Sequence, residues 1–301
     1  MIIGSYGIES GDLWHSEDLG FGVLMGSDRC GSDVDELVRL VQEKCGMDFM
    51  KYRPACIGRR ISYRMVMVGC RNMDEYIAYV NSHPAEIERL LDVVTIHKTG
   101  FFRDLDVFDA LLKDVFPGII EGKLTSGDKV IRVWSAGCST GEETYSITIH
   151  LIRLLQTEKL DIRVEVFGTD ISEESCRVAM RGVYPICKLQ EVTRHIKRCY
   201  FEMNDEYCRV HPDVMRLVKF SVHDLFSKPP FSMLDLVVCR NVLIHFDQSV
   251  RNDVLSNFYS SLKNGGVLIL GKSEAVTGSA LKLYEAVNPR NRIYRKRILC
   301  E

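Results

Sequence analysis

Val133-Trp134-Ser135-Ala136-Gly137-Cys138-Ser139-Thr140-Gly141-Glu142-Glu143 carries an apolar strand into a turn of small residues and out into an amphipathic helix. The strand spans 129–134, and the helix continues through Tyr145, Ile147, Ile149, Leu151, Leu154 and Leu155. Small residues in such a turn let backbone N–H groups come close to a ligand. Glu142 and Glu143 in the first helical turn complement the positive end of the helix dipole. They also disfavour a bare anion, so the pattern points to a ligand that carries positive charge.

Outward from this unit, short apolar strands recur at 163–169, 217–222, 234–239 and 267–270, most of them separated by helical patterns. Nearly continuous, β-branched strands alternating with helices indicate an α/β fold with a doubly wound, mostly parallel sheet. A last pair, 283–287 and 292–296, flanks Asn288-Pro289-Arg290-Asn291 and reads as a closing hairpin, so one edge is expected to be antiparallel. Upstream, 32–98 is helical in pattern. Ser32 or Asp33 caps a helix carrying Leu37, Val41 and Cys45 and closed by Gly46. Pro54 opens a second, with Ile57, Ile61, Met65 and Val68 as its stripe and Gly69 as its end. Two more follow at 73–80 and from Pro84, the latter with Ile87, Leu90, Leu91 and Val94. A linking helix at 108–115 is expected to end at Pro117-Gly118. The division is then a mobile leader at 1–30, in which Met25 is a second candidate start, a small helical domain at 31–98, a linker at 99–118 and an α/β domain at 119–301.

Bulk properties narrow the class. The 301 residues are 46% hydrophobic and 27% charged, and the net charge is -2, which exerts no general pull toward nucleic acid or membrane. No apolar run nears the roughly 20 residues that span a bilayer, and no signal peptide pattern opens the chain, so a cytoplasmic location is expected. The eleven cysteines are odd in number and form no C-x-x-C pair, which favours reduced thiols over disulfides or zinc.

Ligands of a doubly wound sheet bind beyond the carboxyl ends of its strands, and each strand end here is polar. The first ends in the 135–141 turn, and the second at Gly168-Thr169-Asp170, where an acid suits both ribose hydroxyls. The third ends at His223-Asp224-Leu225-Phe226 and the fourth at Cys239-Arg240-Asn241. Asp170 also suits a helix cap, Asp224 a turn, and Arg240 with Asn241 a loop brace; their fall at successive strand ends is what joins them into one nucleoside site. The cationic nucleoside that fits is S-adenosylmethionine. At the domain junction, His97-Lys98-Thr99-Gly100-Phe101-Phe102-Arg103-Asp104 sets a cation where a carboxylate can be held, unless Arg103 merely pairs with Asp104 or Asp106. Residues 49–73 contain no Asp or Glu but six Lys and Arg, a face that is either solvated or docks an acidic partner.

Together these residues resemble the CheR family of chemotaxis-receptor glutamate O-methyltransferases. The resemblance is carried by Thr99-Gly100-Phe101-Phe102-Arg103-Asp104, by 134–143, by Gly168-Thr169-Asp170-Ile171, by Cys239-Arg240-Asn241-Val242-Leu243-Ile244 and by 265–274. It implies a helical domain joined to a class I methyltransferase domain that binds S-adenosylmethionine, releases S-adenosylhomocysteine and uses no metal. It implies that Thr99, Arg103, Glu142, Asp170, Ile171, Asp224, Leu225, Arg240 and Asn241 line the cofactor site, with Gly137 in the turn and His97 where the family usually has Asn. His245 stands where the family usually has Tyr near the transferred methyl. Arg103 is expected to orient the acceptor carboxylate and His245 to shape the methyl site. The segment 184–210 matches the family's small β-subdomain, and 202–206 lacks the glycine-rich loop that some members use to hold a receptor tail. The expected partners are glutamate-rich receptor helices docking on the basic helix at 53–64, with no nucleic acid and no membrane insertion, the enzyme acting as a monomer. Two other readings stay open: a methyltransferase for another substrate, and a catalytically weak cofactor-binding signalling module.

Overall fold

The computed structural model describes residues 30–45, 48–94 and 99–298. The expected leader, except for Cys30, and His97 lie outside them. The helical region holds α1 (Cys30–Cys45), α2 (Pro54–Val68), α3 (Met73–Ser82) and α4 (Ala85–Val94). Pro54 opens α2, and Gly69 at φ 78° closes it in the left-handed conformation.

The linking helix departs from expectation. It begins as α5 (Leu105–Ala110), passes through a π-helical turn (Leu111–Val115) and continues as α6 (Phe116–Ser126). Pro117-Gly118 therefore does not end it. The wider turn hands the Phe116 N–H to Leu111 O, five residues back. Pro117 then falls in the first turn of the renewed helix, where its missing N–H costs nothing.

The α/β region runs β1 (Val130–Ala136), α7 (Glu142–Thr157), β2 (Arg163–Asp170), α8 (Glu173–Arg181), β3 (Val183–Pro185), α9 (Arg194–Tyr200), β4 (Phe201–Met203), β5 (Tyr207–Val210), α10 (Pro212–Met215), β6 (Val218–Val222), β7 (Leu234–Cys239), α11 (Gln248–Ser261), β8 (Leu262–Leu270), β9 (Tyr284–Asn288) and β10 (Ile293–Lys296). The main sheet has the order β6-β2-β1-β7-β8-β10-β9. Its first five strands are parallel, and β10 runs antiparallel to both neighbours, as the closing-hairpin pattern predicts. The chain order turns back between β1 and β7, which opens a crevice at their carboxyl ends. A second, three-stranded sheet, β3-β5-β4, forms the small subdomain.

The helical region does not keep a separate core. Leu37, Ile61, Tyr76 and Leu90 belong to the same apolar cluster as Trp134, Val237 and Leu268 on one face of the sheet. The join is aromatic. Tyr52 bridges backbone to backbone with Phe246, their ring centroids 5.2 Å apart, and Arg53 N donates to His245 O at 2.8 Å. The other sheet face packs under α5, α6, α7 and the small sheet.

One member of the expected docking face is diverted. Arg64 donates two 2.8 Å bonds to Glu86, which is wholly buried and also accepts from the Tyr76 hydroxyl at 3.1 Å. The Glu86 carboxylate in turn pushes the Arg64 guanidinium above its ordinary range. Arg64 thus braces α2 against α4. Removing it strips the buried Glu86 of its two shortest charged bonds and leaves only the Tyr76 hydroxyl and Arg89, at 3.8 Å, so Arg64→Ala should lower the unfolding free energy by about 2 kcal/mol in urea titration, with Arg64→Lys recovering part of the loss.

Candidate functional site

The cleft lies across the carboxyl ends of β1, β2, β6 and β7, and its lining comes from six parts of the chain. From β1 comes the small-residue turn. Gly137 has φ 72°, and a Cβ there would meet Val242 Cγ2 at 2.5 Å. The Gly137 and Cys138 N–H groups both donate to Thr169 O, at 2.8 and 2.9 Å, which welds the turn to the end of β2.

At the end of β2, Asp170 is 8% exposed. Ser139 N donates to its Oδ2 at 2.7 Å and Ser172 N to its Oδ1 at 3.0 Å. Those bonds fix the plane of a carboxylate that can accept about four hydrogen bonds in all. Ile171 follows on the same wall. At the end of β6, His223, Asp224 and Leu225 line the cleft, and Asp224 Oδ1 accepts from Phe226 N at 2.9 Å. His223 packs edge-on to Trp134 at 5.8 Å, and its Nε2 is buried without a hydrogen-bond partner among the described residues. Burial holds the His223 ring below its ordinary range, hence neutral at pH 7.

The end of β7 supplies a tie and a bend. Arg240 donates to Glu143 Oε2 at 2.9 Å, to Arg103 O at 3.2 Å and to Asp104. Asn241 turns at φ 62° with its N–H on Glu274 Oε2 at 3.0 Å; Gly271 N and Ile244 N also donate to that carboxylate. Burial pushes the Glu274 carboxyl up, against the pull of those N–H donors. His245 closes the wall in a short 3-10 turn; burial first, then Arg60 and Arg53, hold its ring below the ordinary range.

The junction segment brings Thr99 and Arg103 to the rim, and the helical region adds Tyr52. Backbone strain gathers here: Phe102, Asp104, Ser139 and Asn241 have φ of 56, 63, 50 and 62°. Left-handed non-glycine residues cost about 1–3 kcal/mol each and persist where the surroundings over-determine them.

Most residues expected from the sequence therefore meet in one cleft. Among the described residues, Glu142 is the exception. It is wholly buried, accepts from Thr140 Oγ1 at 2.6 Å and pairs with Lys188 at 3.0 Å, while its neighbour Glu143 takes the cleft wall. One residue is a 100° rotation on a helix, enough to exchange the two roles. Sequence reasoning missed Tyr52, His223 and Glu143 as lining. His223 was at a named strand end, whereas nothing local marks Tyr52.

Known proteins match this chain in sequence. The model for the CheR methyltransferase SAM binding domain matches residues 97–291, and that for the CheR methyltransferase all-alpha domain matches 32–95. The chain belongs to the CheR methyltransferase family. A chemotaxis protein methyltransferase of Borreliella burgdorferi is 31% identical over 252 residues, covering 82% of this chain and 89% of the relative. One of Listeria innocua is 32% identical over 246 residues, covering 80% and 89%. A putative methyltransferase, Cher3, of Pseudomonas putida is 32% identical over 273 residues, covering 88% and 96%.

The residues present fit the S-adenosylmethionine that such a domain binds. A buried acid stands at the end of β2, the turn has no room for a Cβ at Gly137, and the buried Nε2 of His223, on a residue of the cleft lining, has no partner among the described residues. Gly137→Ala should push Val242 toward the cleft and weaken S-adenosylhomocysteine binding about tenfold or more by calorimetry, and, because Gly137 is left-handed, should lower the melting temperature as well.

Proposed function

We propose that the protein methylates glutamate side chains of chemotaxis-type receptors, forming glutamyl methyl esters with S-adenosylmethionine as donor. The carrying observation is the charge along the cleft. Its nucleoside end holds Asp170 and Asp224, and its mouth holds Arg103, with Arg53 and Arg60 beside His245. An acidic protein substrate suits that mouth; a nucleic acid would have to pass the carboxylates. No helix among the described residues is long and apolar enough to cross a membrane, so a membrane receptor would be met from the side.

The donor, when bound, supplies a methyl carbon made electrophilic by a sulfonium. The chain's residues supply placement. A glutamate carboxylate has a pKa of about 4.3 and is already ionised near neutrality, so no side chain need remove a proton. Asp170 would hold the ribose, and Thr99 with the 137–141 turn would flank the methionine portion. Arg103 would orient the acceptor carboxylate. His245 and Tyr52 would wall the methyl site and exclude water, leaving the acceptor oxygen in line with the carbon it attacks.

Incubation with tritiated donor and membranes of the same cell should give labelled protein of receptor size that loses its label in mild alkali, as an ester must. Alkali-stable label, or label in RNA, would overturn the assignment. A pH series probes His245. Its lowered pKa leaves it neutral at pH 7, and it gains a proton only as pH falls below about 6.5. That proton adds positive charge beside Arg60 and Arg53. The receptor KM should therefore stay level from pH 7 to 9 and fall below pH 6.5, and His245→Tyr should flatten the acid change.

A further inference from the structure

The solvent face of α2 is half basic and half apolar. Ile57, Ile61 and Met65 point into the core. On the far side, Cys56, Arg60, Tyr63 and Met67 follow one another at i, i+4, i+7 and i+11, a single line along the helix. Val66 flanks that line. The first half is cationic and sits at a small pocket formed by Cys56, Arg59 and Arg60 with Tyr52 and His245. Tyr52 and His245 also line the main cleft, so the two hollows share a wall. The second half is apolar and open: Tyr63 is 43% exposed, Val66 77% and Met67 60%.

Single exposed apolar residues need no explanation, but neighbours in line do. Tyr, Met and Arg are the types enriched at the buried centres of interfaces, and Met adapts its shape to a partner. The patch continues directly from the cationic pocket, so one occupant is expected to cover both.

We infer that α2 reads its protein substrate in two parts: the pocket at Arg59, Arg60 and His245 receives an acidic side chain, and Tyr63, Val66 and Met67 seat apolar side chains of the same substrate helix. This rests on the reading given under Proposed function and adds the substrate's required pattern. Arg60 and Met67 are seven positions apart, about 10 Å along α2. A substrate helix lying along it must then carry its apolar residues roughly two turns from the acidic residue that enters the pocket. Charge alone would accept any acidic helix; the apolar half selects among them.

The test uses the full chain and the purified cytoplasmic domain of a chemoreceptor from the same cell. Val66→Ser combined with Met67→Ser changes exposed residues only, so melting temperature and S-adenosylhomocysteine affinity should hold. The receptor KM should rise about tenfold with kcat unchanged. The ratio of variant to wild-type KM should persist in high salt, which screens the arginines but not the apolar contact. Val66→Ile with Met67→Leu should restore the wild-type KM. An unchanged KM in the serine variant, or an equal fall in kcat, would overturn the inference while leaving the proposed function standing. Concentration-dependent dimerisation of the wild type that the serine variant abolishes would also overturn it, by assigning the patch to a second copy of this chain. A wild-type protein that methylates no receptor domain would sink both.

Discussion

Arg240 is the tie on which the cleft depends. Its guanidinium is almost wholly buried, yet it reaches three parts of the chain: Glu143 on α7, and Asp104 and the Arg103 carbonyl at the domain junction. A buried cation is costly unless paired and hydrogen-bonded, so the energy of that one side chain falls steeply only when all three partners converge. Convergence sets the width of the cleft. It also holds Asp104 and Asn241, on either side of Arg240, in left-handed conformations they would not choose alone. The strain at the site is thus balanced by an ion-pair network rather than by the apolar core.

The second constraint is the shared core. Helices from the first third of the chain and one face of the sheet bury their apolar side chains together. Tyr52, just ahead of α2, reaches the cleft from the helical region. The main cleft and the small pocket on α2 consequently adjoin within a single packed body, with His245 touching both hollows. Burial and the neighbouring Arg60 and Arg53 hold the His245 ring below its ordinary range, so it takes up charge only on the acid side of neutrality.

Much of this was legible in residues. Buried parallel strands announce themselves as short β-branched runs, and an acid or a cluster of small residues at each carboxyl end marks a binding crevice. Asp170, Asp224 and Gly137 were readable for that reason. The closing hairpin was readable from Asn288-Pro289 between two strand patterns. What stayed hidden depends on distance or on fine angle. Tyr52 lies far from the strands in sequence, and its neighbourhood reads as an ordinary basic segment. The exchange of Glu142 for Glu143 turns on where Lys188 arrives, from a subdomain whose placement no local pattern encodes. The π turn at 111–115 has no sequence mark beyond the proline it rescues. Arg64 was counted with the docking face because its partner, Glu86, looks like one more surface acid until α4 folds onto α2.

Lys188 couples two sheets that share no strand. Its ammonium joins Glu142 to the Thr99 carbonyl, and nearby the Tyr184 hydroxyl donates to Thr140 O at 2.7 Å. The small three-stranded module is therefore riveted to the floor of the methyl-donor crevice. Exchange of that module between relatives would preserve the crevice only where the graft brings its own lysine and tyrosine to those same acceptors.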